Sequence, residues 1–138
     1  MTPRYDELAI GERIPTLTAP AVSRLQLALF AGAAADHNPI HVDDAAARAG
    51  GLPGVIAHGM LTMALLGRLL ASWAPTTSLR SFSARFVAMA FPGDVISCSG
   101  VVAAKSAQDG ENRVVLDLIA ENQKGEKILL GKATIALI

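Results

Sequence analysis

The residues able to do proton chemistry in this chain crowd into "AADHNPIHVDD", Ala34 to Asp44, within a sequence otherwise dominated by small apolar side chains. Asp36 and His41 form the pair of interest, because a carboxylate and an imidazole can hold one water between them and share acid and base duties near neutral pH. On a continuous helix, residues at this spacing would stand about 140° apart and would not converge. Pro39 removes that obstacle: it disfavours the α conformation at Asn38, so a tight turn at "DHNP" can bring both groups to one point. The same residues also have ordinary structural uses. An aspartate at a helix end caps or forms turns, and a histidine is often only a satisfied side chain. Spacing alone leaves both readings open.

The second constellation is "AHGML", where Ala57, His58 and Gly59 run into an apolar segment. A helix start offers unpaired amide N–H groups and a positive dipole end, and glycine lets a ligand approach the backbone. Such a place can hold a developing oxyanion. Equally, Gly59 could relieve crowding between helix and sheet while His58 caps or fills a gap. No metal is expected: His37 and His41 have i, i+4 spacing but Pro39 lies between them, and neither an HExxH pattern nor a cysteine cluster is present. The chain also lacks GxGxxG, GxxxxGK[ST] and GxSxG motifs, which leaves the two polar sites alone.

The elements that must position these groups are legible in part. Ser23 and Gln26 stand at capping-box spacing, and Leu25, Leu29 and Phe30 recur at helical intervals, which predicts a helix from Arg24 to Ala34. A short second helix can begin at Asp43 or Asp44 and end at Gly50 and Gly51, followed by "LPGVIAHG" as a loop. From Met60 to Trp73 the apolar positions cover nearly the whole helical circumference, with Thr62, Arg68 and Ser72 as the polar members. Such a helix must be wrapped by something.

The second half supplies the wrapper. "LRSFSARFVAMAF" alternates Phe82, Ala84, Phe86 and Ala88 with Ser81, Ser83 and Arg85, which is strand periodicity. "PGD" at Pro92 to Asp94 reads as a turn, "VISCSGVVAAK" as a strand, "SAQDGEN" as a hairpin loop, and "RVVLDLIAEN" and "KILLGKATIAL" as two further strands. Short connections imply an antiparallel meander. Helices first and strands afterwards indicate one α+β domain over residues 1–138, an antiparallel sheet wrapped around a long central helix. Arg80 and Arg85 could meet a phosphate, but strand arginines ordinarily solvate a face.

Composition narrows the partners. Twelve basic and twelve acidic residues cancel, so no long-range field draws in nucleic acid or an anionic membrane. With 51% hydrophobic and 17% charged residues, a subunit interface could absorb the surplus apolar surface. Cys98 stands alone, which suits a reducing compartment, and reads as a small core residue of a strand. Charges at Arg4, Asp6, Glu7, Glu12 and Arg13 leave no apolar signal core, so the expectation is a cytoplasmic protein. The run "GMLTMALLGRLLASW" is shorter than the roughly 20 residues needed to span a bilayer and contains Arg68.

The stretch "FAGAAADHNPIHVDDAAARAGGLPGVIAHGMLTMALL", Phe30 to Leu66, resembles the signature of the MaoC-like enoyl-thioester hydratases and dehydratases, single-domain hot-dog folds. Those proteins carry an aspartate, any residue, Asn-Pro, an aliphatic residue and a histidine, then an HGM-type segment. The resemblance implies that Asp36 and His41 are the catalytic pair, that the Gly59 amide is the oxyanion donor, and that Asn38 and His58 support them, with His37 as the variable position. It further implies reversible addition of water to a trans-2-enoyl thioester of CoA or acyl-carrier protein, giving the (R)-3-hydroxyacyl thioester without a cofactor. A homodimer with joined sheets is expected, or a heterodimer with a related subunit. A hot-dog thioesterase and a non-catalytic subunit are the rival readings. One departure is that Ala34 and Ala35 stand where many relatives have a small polar residue and glycine.

Overall fold

The computed structural model describes residues 2–138. Helix α1 spans Arg24–Ala34, and the Ser23 hydroxyl accepts the Gln26 amide at 3.0 Å, the capping bond that its spacing predicts. It stops at Ala35, which turns into the left-handed region at φ 54°. A single 3-10 turn follows at Pro39–His41. Helix α2 spans Asp44–Ala49, with the Asp43 carboxylate accepting the Ala45 amide. The chain then runs without regular structure to α3, Gly59–Trp73.

Five strands complete the domain: β1 Arg13–Thr18, β2 Leu79–Phe86, β3 Ser97–Gln108, β4 Glu111–Glu121 and β5 Lys127–Leu137. They form one antiparallel sheet in the order β1-β3-β4-β5-β2. Leu61, Leu65, Leu66, Leu69 and Leu70 of α3 are buried in one core with Val102, Val114, Leu116, Leu118, Ala133 and Ile135 of the sheet. Removing each such leucine from water stabilises the fold by about 1.5–3 kcal/mol. The α3 helix is thus the rod around which the sheet curls.

Several expectations need correction. The strands do not form one continuous meander, because β2 lies beyond β5 and β3 lies beside β1. The "PGD" turn exists, but it docks the chain on the approach to α1: the Gly93 amide donates to Val22 O at 2.7 Å, and Val22 donates back to Asp94 O at 2.8 Å. The segment after Phe86 is therefore a crossover, not a hairpin. Strand β2 also ends at Phe86 instead of running on through "VAMAF".

Strand β1 carries no periodic signal in the sequence, since "RIPTLT" holds a proline and buries only Ile14, so it shows no alternation. The seven-residue "SAQDGEN" loop contracts to a tight turn at Asp109-Gly110, both at positive φ, which is the two-residue geometry that suits a twisted hairpin. The wrapping of α3 is also incomplete. Met60, Ala64, Arg68 and Ala71 lie on an exposed stripe along it.

Candidate active site

The turn after α1 is built from its own side chains. Asp36 Oδ1 accepts the Asn38 amide and Asn38 Oδ1 accepts the Ile40 amide, each at 3.3 Å, which closes the loop and swings His41 inward. Asn38 thus braces the turn. The His41 side chain is nearly buried while that of Asp36 is half exposed, and Asp36 Oδ2 stands 3.8 Å from His41 Nε2. That distance is too long for a direct hydrogen bond and suits a shared water.

The tautomer of His41 follows from its other nitrogen. Nδ1 lies 2.8 Å from Ile56 O, and a carbonyl can only accept, so Nδ1 carries the proton. In the neutral ring Nε2 then keeps its lone pair, turned toward Asp36, which is what a general base requires. Ile56 is held by its neighbours. Asp44 Oδ1 accepts the Val55 amide and Asp44 Oδ2 accepts from Arg24, both at 2.9 Å, while Ile56 N donates to Ile40 O at 3.2 Å. The Val55 amide, aided by Arg24 against some desolvation, keeps the Asp44 carboxyl below its ordinary value.

His58 occupies the N-cap position of α3 yet makes no side-chain capping bond. Its ring stacks on that of His41, centroids 3.8 Å apart and planes 25° from parallel, and meets Phe30 at 4.9 Å and 58°. Nε2 donates to Asp36 O at 3.3 Å. Gly59 opens α3, and a Cβ there would come within 2.9 Å of Phe86 Cε1, so glycine answers a close approach of the ring. The buried Thr62 hydroxyl donates back to Gly59 O at 2.6 Å. A mainly apolar cavity of about 210 Å³ adjoins Gly59, lined by Thr62, Phe86, Met89 and Ile128 among others.

The structure therefore brings Asp36, His41 and His58 together, with Gly59 next in the chain. His37 is exposed and takes no part, and Arg80 is committed to Glu111. The donor atoms of Asp36, His41 and His58 lie within 4.8 Å of one another. Two nearly parallel stacked imidazoles cannot aim their in-plane lone pairs at one ion about 2 Å from each, so the trio is a poor metal cage. Sequence reasoning missed the Ile56 carbonyl, which no side-chain pattern can announce. It also missed Phe30 against His58, and saw in Asp44 only a possible cap.

A five-stranded antiparallel sheet curled around one helix, with polar groups gathered at that helix's start, is a hot-dog domain. The family model described as "MaoC like domain" matches residues 7–123, and the chain belongs to that family. It is 38% identical over 115 residues to a fatty acid synthase subunit beta of Aspergillus oryzae, covering 80% of this chain and 6% of that one. Against the enoyl-CoA hydratase ChsH3 of Mycobacterium tuberculosis the identity is 34% over 116 residues, 76% of this chain and 40% of the relative. The chain thus spans a minor part of these curated relatives. Among solved structures, R-hydratase PhaJ1 from Pseudomonas aeruginosa superposes with a TM-score of 0.83 at 30% identity, covering 97% of this chain and 85% of that one.

Proposed function

We propose that this chain adds water reversibly across the double bond of a trans-2-enoyl thioester, carried on CoA or acyl-carrier protein, to give the (R)-3-hydroxyacyl thioester. The observation that carries the reading is the 2.8 Å bond from His41 Nδ1 to Ile56 O, which leaves a basic Nε2 facing the Asp36 carboxylate beside the start of α3. The hydratase and dehydratase names of the relatives point the same way.

In the hydration direction the thioester carbonyl oxygen takes the Gly59 amide as donor, where the unpaired N–H groups and dipole of α3 favour negative charge. Asp36 and His41 hold a water between them, and His41 Nε2 takes its proton. The oxygen bonds to C3, the double-bond electrons move onto the carbonyl oxygen as an enolate, and its collapse takes to C2 a proton from the Asp36–His41 pair, which returns that pair to its starting state. Dehydration retraces these steps through the same groups.

Loss of either polar partner should cost about two to four orders of magnitude in rate. The test is disappearance of the enoyl absorbance of crotonyl-CoA with wild type, Asp36→Asn and His41→Ala; an active wild type with both variants near normal would sink the assignment. A free-thiol assay separates hydration from thioester hydrolysis, which alone releases a thiol. The unpaired outer edge of β2, with Met60, Phe86, Val87 and Met89 exposed near its end, supports a homodimer with sheets joined edge to edge. Sedimentation at twice the 14.3 kDa chain mass, with activity, would dispense with an obligatory partner subunit.

A further inference from the structure

His58 is buried to 1% exposure, and among the described residues its Nδ1 has no hydrogen-bond partner. A phenyl ring could stack between Phe30 and His41 without burying an unpartnered ring nitrogen, though it would take the Nε2–H donor from Asp36 O. What imidazole adds is the Nε2–H bond to Asp36 O at 3.3 Å. That carbonyl lies one residue beyond Ala35, where α1 has already ended in a left-handed turn.

We infer that His58 is a positioning residue of the hydration site: its Nε2–H pins the main chain of Asp36, and its ring face sets the plane of His41. As the residue before Gly59, it also holds this pair at a fixed offset from the first amide of α3. The inference rests on the hydration reading above. His58 touches no reacting atom; it registers the acid-base half of the site against the oxyanion half, which are otherwise separate segments of chain.

Three substitutions test it, with kcat and KM on crotonyl-CoA and the thermal midpoint as readouts. His58→Phe keeps a stacking ring and removes the donor. His58→Gln places an amide nitrogen near the position of Nε2, whereas the shorter His58→Asn reaches only the position of Nδ1. We expect His58→Phe and His58→Asn to lower kcat about 10- to 100-fold with KM little changed, as displacement of a reacting group does. His58→Gln should recover most of kcat, and His58→Phe should melt no lower than wild type.

Near-normal kcat in His58→Phe, or equal kcat in the Gln and Asn variants, would overturn the role. If His58→Phe does not fold, the Gln and Asn comparison decides alone. An active wild type, inactive Asp36→Asn and unaffected His58→Phe would remove this role and leave the hydration reading standing. A wild type inactive on crotonyl-CoA and indistinguishable from Asp36→Asn would remove both.

Discussion

Phe86 lies across Gly59 so closely that a Cβ on the glycine would stand 2.9 Å from Cε1 and 3.2 Å from Cδ1 of the ring. The last residue of β2 and the first residue of α3 are thereby fitted to each other. Gly59→Ala should force the half-exposed ring aside, at an overpacking cost of about 1–3 kcal/mol. In a Gly59→Ala, Phe86→Ala double-mutant cycle, unfolding measurements should show a favourable coupling of about 1 kcal/mol. Strict additivity would mean that the ring does not meet the added methyl.

Ala35 sits at φ 54°, ψ 27°, a conformation in which a side chain crowds the following carbonyl. Ala35→Gly removes that strain at the price of a more flexible unfolded chain, for a net gain of about 0.5–1 kcal/mol. The urea midpoint should rise with an unchanged slope, and the rate in the crotonyl-CoA assay should hold. A lower midpoint would show that the turn is not strained.

Asp44 ties the Val55 amide to Arg24 and so fixes the carbonyl of Ile56 over His41. Asp44→Ala should lower kcat about tenfold by loosening that support, although Asp44 is not one of the reacting groups. Its carboxyl is held below 3.8, so the stability it contributes is present above that pH and is lost as pH falls through the depressed value. Acid unfolding of Asp44→Asn should therefore depend less steeply on pH in that range than wild type.

Cys98 has no solvent exposure, and burial pushes its thiol up to about 11 from 9, with Arg68 opposing weakly. The thiolate that reagents attack is scarce as well as covered. Native protein at pH 8 should resist a thiol-reactive disulfide and keep its activity; stoichiometric labelling of the folded state would contradict this. The unfolded thiol ionises from pH 9 while the folded one stays protonated, so stability should fall between pH 9 and about 11, and Cys98→Ala should lack that component.

Much of this architecture was legible because local signals agreed with it. Ser23 stops α1 from starting earlier and Pro39 enforces the turn after it, so both ends of the first functional segment could be read from neighbours in sequence. The pairing of β2 with β5 could not: a Pro-Gly turn says that the chain bends but not which strand lies beyond the bend. Strand β1 buries too little to show alternation. At the site, the Asn38-Pro39 turn showed that Asp36 and His41 could meet, whereas the stack of His41 on His58 depends on two loops meeting. Tertiary neighbours of that kind leave no periodicity behind.

The bond from His41 to the carbonyl of Ile56 has an implication for how this domain can change. Were the acceptor a side chain, one codon change could delete it and scramble which nitrogen is basic. A main-chain oxygen survives every substitution at its own position. The residues around it can therefore drift, or be redesigned for a differently shaped ligand, while the proton stays on the nitrogen that faces away from Asp36.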